Sequence, residues 1–124
     1  MKLIDTKTTY EVVYPQEDLA EDKRPKFILK RLTSREGGEI EDSLSVVERD
    51  GAKLRILYNS GTATRLKIKY ALVNWVNIED ENGSPALCNE ANVDRLPNEI
   101  RVWLEEIIDR DNGFKGVKES ERKK

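Results

Sequence analysis

The spacing of apolar and polar positions changes several times along the chain, and each change marks a candidate element. Near the N-terminus, Tyr10, Val12 and Tyr14 fall on one side of TTYEVVY, a two-residue repeat that fits a strand, and Pro15 ends it. A charged loop from Gln16 to Arg24, holding Leu19, separates this run from KFILKRL, which follows Pro25 and reads as a second strand. The two strands are predicted over about residues 8–14 and 26–32, and they can pair as a wide hairpin. Thr33 and Glu36 then match a capping box, in which a hydroxyl and a carboxylate satisfy the free amides at a helix start. Gly37 and Gly38 follow at once, and each costs about 1 kcal/mol inside a helix. The expectation between Ser34 and Asp42 is therefore no more than a short helical turn.

Two further strands, about 44–49 and 53–58, flank Asp50-Gly51, a dipeptide suited to a type I′ hairpin turn. Leu54, Ile56 and Tyr58 share one face of the second strand, Lys53 and Arg55 the other, and Asn59-Ser60-Gly61 closes the hairpin. The run Thr62–Trp75 carries two periods at once. Leu66, Ile68 and Tyr70 alternate as in a strand, whereas Ala63, Leu66, Tyr70 and Val73 form a helical stripe. Its length and the N-cap chemistry of Thr62 favour a helix over 62–75; as a strand it would extend the preceding hairpin into a larger sheet.

The last third has firmer punctuation. Residues 79–85 form an acidic turn, Asn89 can cap a short helix over about 90–95, and Pro97 suits the first turn of a helix over 97–110. Ile100, Trp103, Leu104, Ile107 and Ile108 give that helix a core-facing stripe, and Asn112-Gly113 stops it. From Lys115 the chain is mostly charged, as a solvated tail would be. The fold class expected is α+β: small antiparallel hairpins with helices, one domain over 1–114 and a flexible tail over 115–124. No internal repeat or dividing linker is visible.

Composition narrows the chemistry. The 124 residues are 37% charged and 37% hydrophobic, against about 25% charged in an average soluble domain, with a net charge of −2. The apolar residues nevertheless cluster enough to build a core. No apolar run approaches the roughly 20 residues of a membrane span, and MKLIDTKTTYEVVYPQ lacks the apolar stretch of a signal peptide. A soluble, cytoplasmic, non-membrane protein is expected. There is no histidine and one cysteine, Cys88, which removes histidine-based catalysis, histidine metal sites, internal disulfides and multi-cysteine metal sites.

The remaining candidates each have a plainer explanation. The carboxylates of Glu79-Asp80-Glu81 are consecutive, without the alternate spacing of a calcium loop, so a solvated turn accounts for them. Glu105, beside Glu106, and Asp109 four residues on read as surface charge on the polar face of the last helix. Cys88 reads as a half-buried small hydrophobe. No glycine pattern matches a phosphate loop. Arg65, Lys67 and Lys69 would line one side of a strand but scatter on a helix, and the near-balanced charge makes nucleic acid an unfavoured partner. No catalytic, cofactor-binding or metal-ligating residue is expected. Trp75, Trp103 and Ile107 are the candidate partner-binding residues, because tryptophan and an apolar helix stripe recur at binding hot spots; the competing reading places both tryptophans in the core.

Three segments in order carry a resemblance: KFILKRLTSRE (26–36), ALVNWVNIEDENGSPA (71–86) and NEANVDRLPNEIRVWLEEII (89–108). The chain resembles the tail assembly chaperones encoded in the tail gene clusters of long-tailed bacteriophages and prophages. Those proteins have a phenylalanine-led segment before a helix ending in tryptophan, then an acidic turn with glycine, then a helix introduced by Leu-Pro. The matching positions are Phe27, Leu29, Leu32, Thr33, Glu36, Trp75, Asp80, Gly83, Leu96, Pro97 and Ile100. The chain departs from the pattern at Gly37-Gly38 and Asp50-Gly51, where the family has a continuous helix. The resemblance implies a non-enzymatic protein that binds the tape measure protein, whose long helices would otherwise aggregate, until tail tube subunits assemble around it. The alternatives are a structural virion component, such as a head–tail connector or tail-completion subunit, and a small nucleic-acid-binding or regulatory protein using Arg65, Lys67, Lys69 and the tail. Self-association stays open.

Overall fold

The computed structural model describes residues 1–50, 53–58 and 60–114. The fold is α+β. Strand β1 (Thr9–Val13) leads through a loop with a short 3-10 turn to β2 (Lys26–Lys30), followed by helix α1 (Ser34–Leu44). The hairpin β3 (Ser45–Asp50) and β4 (Lys53–Tyr58) comes next, then α2 (Ser60–Ala71), β5 (Leu72–Val76), the single turn α3 (Glu90–Val93) and α4 (Asn98–Asn112). β2 is the middle strand of an antiparallel sheet in the order β1-β2-β5.

The first two segments do pair with each other, antiparallel, with Tyr10 opposite Leu29 and Val12 opposite Phe27. Because residues directly opposite share a face, Trp75, which lies opposite Phe27, joins the same side. That side meets the helices. Phe27, Leu29, Ile40, Ile68, Leu104 and Ile108 are fully buried there, and Pro25 and Leu32 close the ends of β2. The register slips between Ile28 and Leu29, so Val73 is an extra residue in β5 and stands exposed.

Two expectations are corrected. The stretch from Ser34 is an 11-residue helix, not a short turn. Its capping box forms in both directions: Glu36 N–H donates to Thr33 Oγ1 (3.1 Å) and Thr33 N–H to Glu36 Oε1 (3.0 Å). Burial of Ile40 and the packing of Leu44 outweigh the two glycines, and Gly37 leaves room for the Phe114 ring beside it. The run 62–75 is neither all helix nor all strand. It is helical to Ala71 and extended from Leu72, without an intervening loop. The strand does not extend the preceding hairpin but adds to the opposite edge of β2. The helix's buried residues are Ala63, Lys67, Ile68 and Ala71, so the predicted stripe is rotated, and Leu66 and Tyr70 are half-buried.

Elsewhere the shifts are small. β3 and β4 pair antiparallel as a separate two-stranded sheet; the turn at Gly51, the closure at Asn59 and the tail 115–124 lie outside the described residues. Asn89 caps α3 by accepting from Asn92 N–H (2.9 Å), although the helix ends at Val93. Pro97 stands one position earlier than expected, as the N-cap residue of α4, and Gly113 ends that helix in the left-handed conformation at φ 73°.

The end of α4 is tied to the sheet. Tyr10 Oη donates to Asp111 Oδ2 (2.7 Å), Arg31 to the Asp111 carbonyl (2.9 Å), and Leu32 N–H to Asn112 Oδ1 (2.8 Å). At the other end of the sheet, Asn77 adopts φ 64°, and its side-chain amide donates to the carbonyls of Asp22 and Arg24. No described helix is long and apolar enough to cross a membrane.

Candidate protein-binding groove

The three partner-binding candidates lie in or against the core. Trp75 is 6% exposed; its Nε1–H donates to the Ala86 carbonyl (2.8 Å), and its ring meets Phe27 edge-on at 6.4 Å. Ile107 is buried. Trp103 is half-buried, edge-on to Tyr14 at 5.2 Å and tilted against Phe27 at 5.9 Å. Phe27 thus gathers both tryptophans into one aromatic cluster, and Trp103 alone of the three keeps a substantial share of its surface outside the core.

The basic trio of α2 scatters, as it should on a helix. Arg65 and Lys69 point to solvent, and Lys67 is 4% exposed. Lys67 Nζ lies 2.8 Å from Asp109 Oδ1 and 3.5 Å from Glu105 Oε2, and 5.7 Å from the centre of the Phe114 ring. Thr64 Oγ1 also donates to Glu105. Glu105 and Asp109 do share one helix face, but that face meets α2 and is not simply surface charge. Burial pushes the Asp109 carboxyl above the usual range, and Lys67 pulls part of the way back. The cluster holds α2 on α4 and leaves Lys67 closed to a substrate. Sequence patterning missed it because a lysine counts as polar wherever it falls.

Other reactive groups are occupied or quiet. Asp80 Oδ1 accepts from Asn82 N–H (2.9 Å) and Ser84 N–H (3.0 Å), so its carboxylate shapes the acidic turn, with Gly83 at φ 80°. Among the described residues, no three metal-ligating side chains converge. Burial raises the Cys88 thiol, the reverse of what activates a nucleophile.

What the fold does assemble is a groove between α2 and the segment from Cys88 to Asp94. It encloses about 310 Å³. Leu66, Leu72, Val73, Cys88 and Val93 supply its apolar lining, and Arg65, Lys69 and Arg101 supply cations. A second hollow continues it past Thr62, Arg65, Asp94 and Arg101 towards Asn98 and Val102. None of its residues is adjacent to all the others in sequence. Leu66 and Val73 of the predicted helical stripe and Arg65 and Lys69 of the basic trio all line it, but nothing in the sequence brings them to Cys88 and Val93. No protein-family model, no curated protein and no solved structure matches this chain.

Proposed function

We propose that this protein acts without catalysis, by binding another protein, and that it serves as an assembly chaperone for a long helical phage tail protein of the tape measure kind. The groove along α2 is the observation that carries the reading. It exposes an apolar lining between charged walls, the form that receives one face of an amphipathic helix. The charge-rich surface suits a carrier that must keep an aggregation-prone partner dissolved. The three segments that resemble tail assembly chaperones supply the partner class.

The test is co-expression with a tape-measure-type protein encoded in the same genome, followed by size-exclusion chromatography with light scattering. A soluble, co-eluting complex is expected, with the partner insoluble when expressed alone. If the partner stays insoluble and this protein runs as a discrete ring-sized oligomer, the chaperone reading gives way to a structural virion component.

A further inference from the structure

We infer that the groove selects an amphipathic helix whose flanking charges are acidic. The inference deepens the protein-binding reading and rests on it. Arg65 and Lys69 stand one turn apart on the rim, both exposed, and neither makes an ion pair among the described residues. On the facing wall, Arg101 Nε is shut from solvent and has no hydrogen-bond acceptor. The carboxylate nearest that side chain, Asp94, is 3.8 Å from its Nη2, at the outer limit of an ion pair. Three guanidinium or ammonium groups therefore line the trough against two carboxylates, Glu90 and Asp94, and neither rim cation is paired with either of them. A carboxylate brought in by the occupant supplies that partner.

The dimensions fit a helix. From Thr62 to Lys69 the groove follows α2 for about two turns, or roughly 10 Å at the helical rise, and it continues past Leu72 and Val73 of β5. That length accommodates a short amphipathic segment laid alongside, with its leucine-like stripe on Leu66, Leu72 and Val93. Nucleic acid fits less well. The lining is aliphatic, and none of the residues on these walls is aromatic, so there is no platform for base stacking.

The experiment titrates the full chain into fluorescent helical peptides of about 18 residues, long enough to hold helix, sharing one leucine stripe but flanked by glutamates or by lysines. Anisotropy is read at low and at physiological salt. The glutamate peptide is expected to bind, and Arg65→Glu with Lys69→Glu to weaken it about tenfold or more, a loss of about 1.4 kcal/mol. Both positions are exposed, so the variant's urea midpoint should stay close to the parent's and report binding separately from folding. Equal or tighter binding of the lysine peptide overturns the inference. So does a duplex oligonucleotide that binds with a steep salt dependence and displaces the glutamate peptide. If neither peptide binds, and the co-expressed complex forms equally well with the doubly reversed variant, the groove is not the seat although the protein-binding reading survives. Loss of the co-expressed complex in the parent chain itself counts against that reading instead.

Discussion

Lys67 shows how far a single residue can sit from what its type suggests. It occupies the buried face of α2, one turn from the buried Ala63 and Ala71, because Asp109 and Glu105 on α4 meet its ammonium. A buried pair of this kind is not a large net source of stability, since two charges lose their water to make one contact. Removing one partner is another matter. Lys67→Ala leaves the partly buried Asp109 without its cation and is expected to cost up to about 3 kcal/mol. Lys67→Met combined with Asp109→Leu is expected to recover most of that loss, because it removes both desolvation penalties and keeps the volume. Urea denaturation of the parent, the single and the double variant checks this. A double variant no better than the single one would show that the charges themselves hold α2 in place.

Elements form here where local chemistry and distant packing agree, and they shift where the two conflict. The capping box of α1 was legible in Thr33 and Glu36, but the length of the helix was not. Gly37 and Gly38 argue against a helix locally, and Ile40 and Leu44 argue for it only once the core they enter exists. Gly38 keeps the cost without a packing reason, since an added methyl would meet nothing within 4 Å. Gly38→Ala is accordingly expected to stabilise the protein by about 0.5–1 kcal/mol, read as a rise in the thermal midpoint. A fall would mean that α1 needs the glycine's freedom. The switch from α2 to β5 follows the same logic. Leu72 and Trp75 turn extended because β2 offers them Leu29 and Phe27 as neighbours, a pairing that lies more than 40 residues back in the chain.

At the scale of the whole molecule, the two ends of the described chain are joined by Tyr10 and Asp111, 101 residues apart. Burial and the Asp111 carboxylate both oppose loss of the phenolic proton, so Tyr10 ionises well above the ordinary tyrosine value of 10.0. The unfolded chain gives up this proton near pH 10, and the folded chain keeps it to higher pH. The folded state then holds more protons, so this contribution is complete below about pH 10 and is lost as pH rises towards the folded value. Urea unfolding at about pH 9 and about pH 11 should show a larger loss for the parent than for Tyr10→Phe; equal losses would locate the alkaline sensitivity elsewhere. The sequence by itself determined the α+β class, the two N-terminal strands, the capping box, the Asn89 cap and the glycine stop of α4. Each of these depends on backbone geometry or on a simple apolar repeat within a few residues. Only the tertiary structure decided the fate of the 62–75 run, the choice between core and interface for Trp75, the burial of Lys67, and the groove itself. Those depend on which distant surfaces meet, and a side chain's neighbours across the fold are not written in its spacing along the chain.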